Sequence, residues 1–118
     1  MKIFNNYAYT QIRIDRKLRN LIRIVCAAEG IENRRNFCEK ALEYFLTIDQ
    51  KSLIAPIKKG ILFRVELSIS QKETLEKFVN MEDTTLSRVF HTAIYSYVEY
   101  FRNNLSLAEQ RLLTKAYY

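Results

Sequence analysis

Glycine and proline are nearly absent: two glycines and one proline among 118 residues. All-β folds spend both on turns, so their scarcity argues for helices joined at few sharp corners. Long apolar runs are also missing. None approaches the roughly 18 residues needed to cross a bilayer, so no membrane partner is expected. The opening MKIFNNYAYTQ has neither an extended apolar core nor a small-residue cleavage site, so no signal peptide is expected and the chain reads as intracellular. Cysteine and histidine are too few for much metal chemistry. Cys26 and Cys38 lack ligand spacing, and His91 has no evident nucleophile or metal partner, so it reads as a surface or boundary residue. The two thiols read as core side chains kept reduced. No glycine-rich phosphate loop and no outstanding carboxylate pair is present, so neither an enzyme nor a cofactor is expected.

What is present is basic and strongly patterned. Nineteen basic against thirteen acidic residues give a net charge of +6, which suits an anionic partner. Residues 1–52 carry 10 basic and 6 acidic side chains, net +4; residues 53–118 carry 9 and 7, net +2.

Tyr9-Thr10-Gln11-Ile12-Arg13-Ile14-Asp15 alternates, with Ile12 and Ile14 on one side and Gln11 and Arg13 on the other, as in a half-buried strand. Asn5 and Asn6 favour a turn, which places the start of that strand near Tyr9. Asp15 can cap a helix carrying Leu18, Leu21, Ile22, Val25 and Cys26 at helical spacing, which Gly30 stops. Asn33 can cap a second helix with Phe37, Cys38, Ala41, Leu42, Phe45 and Leu46 inward. Because a helix follows the strand at once, its partner must come from elsewhere. Phe63 to Ile69 supplies a candidate, with Val65 and Leu67 alternating against Arg64, Glu66 and Ser68.

The pattern then restarts. A third helix places Leu75, Phe78 and Val79 inward, with Met81 a further inward candidate; its start is either at Ser68 or at the capping box Ser70-Gln71-Lys72-Glu73. Thr85 can cap a fourth, with Val89, Phe90, Ala93, Ile94, Tyr97, Val98 and Phe101 inward. Ile12, Ile14, Ile22 and Val25 map onto Val65, Leu67, Leu75 and Phe78 at a shift of 53; Asn33, Phe37 and Ala41 map onto Thr85, Val89 and Ala93 at a shift of 52. The expected organisation is a unit at 1–48, a connector at 49–60 holding Pro56, a second unit at 61–104 sharing its core with the first, and a C-terminal helical extension at 105–118.

Strand, helix, short turn and helix, at Tyr9 to Leu46 and again at Leu62 to Phe101, resembles the ribbon-helix-helix superfamily of Arc- and MetJ-type DNA-binding proteins. Tandem copies in one chain are similar to regulators of archaeal viruses and conjugative plasmids. The resemblance covers about two-thirds of the chain and rests on a loose motif found twice. It implies a mainly α fold with a two-stranded antiparallel ribbon, folded as an intrachain pseudo-dimer. Physics agrees: one strand cannot satisfy its own backbone groups, and about 40 residues rarely hold a core alone.

The resemblance implies a partner, double-stranded DNA, whose major groove the ribbon enters. By position the base readers are Tyr9, Gln11 and Arg13, with Arg64, Glu66 and Ser68. Arg suits guanine, Gln adenine, and Glu the cytosine amino group. Glu66 has an alternative, an internal pair with Arg13 or Arg64. The second helices would aim their N-termini at phosphates, with Asn33, Arg34 and Arg35 in one and Thr85, Ser87 and Arg88 in the other. Arg34 and Arg35 oppose the helix dipole at about 0.3–1 kcal/mol each, as do Arg16 and Lys17 at the first helix, which suggests a bound anion. The expected function is a sequence-specific transcriptional regulator, acting as a repressor, with self-association or cooperative assembly on DNA through the segment after Leu105. An accessory DNA-binding or antitoxin-like module, and a helical protein–protein module, are the alternatives.

Overall fold

The computed structural model describes residues 1–48, 53–55 and 57–104. Its elements are β1 (Lys2–Phe4), β2 (Tyr7–Ile14), α1 (Arg16–Glu29), α2 (Arg34–Thr47), β3 (Ile61–Ser68), α3 (Ile69–Met81) and α4 (Leu86–Asn103). The proposed C-terminal helix, and most of the connector's first half, lie outside the described residues.

β2 and β3 pair antiparallel over their full lengths, from Tyr7 opposite Ser68 to Ile14 opposite Ile61. The expected two-stranded ribbon is corrected in one respect: the sheet has three strands in the order β1-β2-β3. Asn5 and Asn6 do turn the chain, but as a two-residue hairpin loop that returns β1 onto β2, with Phe4 opposite Tyr7 and Lys2 opposite Tyr9. Asn5 takes φ 54°, a left-handed value that asparagine tolerates better than most side chains. The central strand therefore starts at Tyr7, two residues before the expected position.

Side-chain caps set the helix starts. Asp15 accepts from the Leu18 N–H at 2.6 Å, Asn33 from Asn36 at 2.9 Å, and Thr85 from Arg88 at 3.3 Å. For α3 the choice falls to Ser68, which accepts from the Gln71 N–H at 3.2 Å, so the downstream capping box lies inside the helix. Gly30 ends α1 at φ 68°, with open space around its α-carbon, so its need is conformational. At Gly60 the need is proximity: a β-carbon would fall 2.5 Å from the Ile14 carbonyl oxygen, where the connector turns into β3.

One core fills the space between the sheet's inner face and the helices. Ala8, Ile12, Ile14, Phe63, Val65 and Leu67 line it from the sheet. Phe37, Leu42 and Phe45 of α2 meet Phe90, Ile94 and Val98 of α4 within it. The Phe37 and Tyr97 rings lie 5.8 Å apart and Tyr44 and Tyr100 4.8 Å, so aromatic contacts run along the α2–α4 seam. Leu75 is the fully buried side chain of α3, while Phe78 and Val79 are partly buried. Met81, an inward candidate, is 82% exposed because it falls at the end of α3, beyond the packed turns. Among the described residues, no helix is long and apolar enough to cross a membrane.

Candidate nucleic-acid interface

Strand alternation sends one set of side chains to the core and the other to the opposite face. On that opposite face the register places Tyr9 beside Glu66, Gln11 beside Arg64, and Arg13 beside Leu62, with Ser68 beside Tyr7 at one end. All six candidate readers thus share one face. They are not equally available. Gln11 and Arg13 are exposed; Tyr9, Arg64, Glu66 and Ser68 are half-buried.

Arg64 accounts for much of that difference. Its guanidinium lies 4.2 Å from the centre of the Tyr9 ring, donates to the Tyr7 hydroxyl at 3.0 Å, and brings Nε within 3.1 Å of the Glu66 carboxylate. The internal pair considered for Glu66 therefore forms with Arg64, along one strand rather than across to Arg13. Arg13 instead donates from one guanidinium nitrogen to the Gly60 carbonyl at 2.9 Å, leaving its other donors exposed. Ser68 has its oxygen engaged as the α3 cap.

Of the two N-terminal arginines of α2, Arg35 reaches this face, whereas Arg34 lies against a core-facing side chain of β3. Arg34 lies over the Phe63 ring at 5.2 Å, and Arg35 over the Tyr7 ring at 5.7 Å with Glu39 at 4.0 Å. Asn33 caps the same turn. Arg16 and Lys17 are exposed in the first turn of α1; Arg88 is exposed and Ser87 half-buried in the first turn of α4, behind the Thr85 cap. The site is therefore best developed where β2, β3 and α2 meet.

Three residues of this face escaped sequence reasoning. Tyr7 follows from the same period-two rule that selects Tyr9. Phe4 and Lys2 require recognising Asn5-Asn6 as a two-residue hairpin loop.

Two buried groups differ from expectation or sharpen it. His91 is 6% exposed, not a surface residue, and shares a groove with Leu18 and Leu21 of α1. Burial pushes its pKa below the ordinary 6.5, against a smaller raising effect of Asp15. The groove measures about 420 Å³ and is also lined by Asp15, Tyr95, Glu99 and Arg102. Cys38 is fully buried, and burial pushes its thiol up to about 12; Cys26, half-buried, is also raised. Among the described residues, no three His, Cys, Asp or Glu side chains gather as a metal site.

Compared with protein-family models, curated proteins and solved structures, the chain matches none.

Proposed function

We propose that this chain is a sequence-specific double-stranded DNA-binding regulator of the ribbon-helix-helix type, with both strand–helix–helix halves in one pseudo-dimer, acting as a repressor by occupying a promoter. The observation that carries this reading is the shared outward face of β2 and β3, with exposed Gln11 and Arg13 and with Arg35 of α2 at its margin.

In this reading the two strands have different roles. Gln11 and Arg13 read base edges, since both keep donors free in the exposed row. Arg64, held by Tyr9, Tyr7 and Glu66, stiffens the reading face and offsets the Glu66 charge next to phosphates. Arg34 and Arg35, with the free N–H groups of the first α2 turn, hold a phosphate. Arg16, Lys17 and the Thr85–Arg88 turn extend the same phosphate contacts at the other helix starts.

The third strand limits how the sheet docks. Strands lie about 4.8 Å apart, so three span about 10 Å between outer axes before side chains are counted. The major groove is about 12 Å wide and takes a two-stranded ribbon. β2 and β3 therefore enter the groove, and β1 stays outside it. Because so short a ribbon covers few base pairs, several copies would assemble on an operator.

The test is a mobility-shift titration on duplex DNA with Arg13→Ala and Gln11→Ala. Each substitution reduces affinity for the preferred sequence more than for unrelated duplex. If both leave affinity and preference intact, the reading is wrong. A footprint that covers a neighbouring promoter separates a repressor from an accessory factor acting elsewhere.

A further inference from the structure

The end of the outward face formed by β1 and β2 is aromatic rather than polar. Phe4 and Tyr7 are cross-strand partners with ring centroids 5.9 Å apart, and Tyr9 lies 6.2 Å beyond Tyr7. Phe4 remains 55% exposed. A three-ring row on an open sheet face gains nothing in the core and leaves aromatic surface in water.

The surroundings of the row are cationic. Lys2 is the cross-strand partner of Tyr9 and is exposed. Arg35 sits over Tyr7, and Arg64 lies between Tyr9 and Tyr7. Two carboxylates enter this cluster, Glu66 at 3.1 Å from Arg64 and Glu39 at 4.0 Å from Arg35, and Lys2 adds a further positive charge at its exposed edge. Beside it, Met1, Lys2, Tyr9, Thr10 and Gln11 line an open depression of about 530 Å³.

Aromatic faces flanked by cations are what an unpaired nucleic-acid strand uses: bases stack on the rings and the backbone follows the charges. Base-paired DNA cannot use them this way, because its bases are already stacked on one another. A protein surface partner would not need the cationic rim. We infer that Phe4, backed by the Tyr7 and Tyr9 rings that hold the arginines, is a stacking platform for single-stranded nucleic acid, separate in mechanism from groove reading by Gln11 and Arg13. Phe4, at the open edge, takes a base. Lys2 and Arg35 take flanking phosphates. The platform reads no particular base, since every base offers a π face.

The test is fluorescence anisotropy of a labelled oligothymidine of about 12 nucleotides. It is titrated with the full chain and with Phe4→Ala and Phe4→Leu, beside a mixed-sequence duplex at the same salt. The wild-type chain binds the single strand. Both substitutions weaken that binding by roughly 5- to 150-fold and leave duplex binding unchanged. Leucine retains an apolar contact with Tyr7 but has no π face, so equal loss in both variants assigns the effect to stacking. Unchanged thermal unfolding in Phe4→Leu shows that the hairpin persists. The inference is overturned if oligothymidine does not bind, if Phe4→Ala binds it as the wild type does, or if Phe4→Leu restores full affinity. Failure of duplex binding with the single strand still held would sink the proposed function and leave this inference standing.

Discussion

After the hairpin strand β1, the chain runs strand, helix, helix twice, as β2-α1-α2 and β3-α3-α4, and these two halves use that order differently. In the first, β2 presents Gln11 and Arg13 to solvent, and α1 is anchored by Leu18, Leu21, Ile22, Ile24 and Val25. In the second, β3 turns Arg64 and Glu66 onto one another and onto the tyrosines of β2, and α3 is anchored by Leu75 with partial help from Phe78 and Val79. The second half compensates with α4, which buries eight side chains from Val89 to Val98. The difference teaches that a repeated pattern of elements need not share its work equally. Here the first half offers free polar groups, and the second supplies the long core helix and a braced strand.

The largest effect expected from this inequality is on stability. Leu75→Ala should lower the unfolding free energy by about 2–5 kcal/mol, because a fully buried leucine leaves a cavity that a lightly seated helix cannot fill. Met81→Ala, at the exposed end of the same helix, should change it by less than about 0.5 kcal/mol. Urea unfolding distinguishes them, and similar losses in both would deny the unequal seating of α3.

Next comes base preference. Gln11→Ala should cost about 1–3 kcal/mol of discrimination between the preferred duplex and one altered at its contacted base pair. Arg64→Ala should weaken both duplexes together, since it releases the Glu66 carboxylate toward phosphates. Adding Glu66→Ala should recover part of that loss. A change of preference in Arg64→Ala would show that both strands read alike.

A smaller effect concerns the helix starts. Removing a phosphate contact with Arg34→Ala should flatten the dependence of log affinity on log salt by about 0.9. Arg88→Ala makes the matching measurement on α4, and an equal change would mean that the halves hold phosphates equally.

The smallest effect is a pH dependence at the contact between halves, where His91 of α4 faces Asp15 at the start of α1. Burial holds the folded-state pKa below 6.5, so the unfolded chain takes up the proton first as pH falls. The stabilisation from neutral His91 is complete above 6.5 and drains away below it. Between about pH 7.5 and 5.5 the wild-type urea midpoint should therefore fall more than that of His91→Gln. Equal falls would remove His91 as the cause.

Much of this architecture is written locally in the sequence. Alternation at Gln11 to Ile14 and at Arg64 to Leu67 marks the central strands, and Asp15, Gly30, Asn33 and Thr85 mark helix ends, because each acts through bonds a few residues long. β1 is not legible that way. Three residues are too few to show a period, and all three are exposed, so no burial pattern betrays them. The state of Arg64 is hidden for another reason: its contacts with Tyr7 and Tyr9 depend on strand register across more than fifty residues. His91 likewise depends on how α1 meets α4, which helical spacing alone does not fix. The candidate face was therefore readable as a set of positions, and its division into free and engaged side chains was not.

The central claim is that exposed side chains of β2 read duplex DNA. Selection of bound duplexes from a random pool tests it most directly, carried out with the wild-type chain and with Gln11→Ala in parallel. The account predicts a short, asymmetric enriched sequence with the wild type and loss of preference at one base pair with the variant. No enrichment, or the same enriched sequence from both proteins, would contradict it.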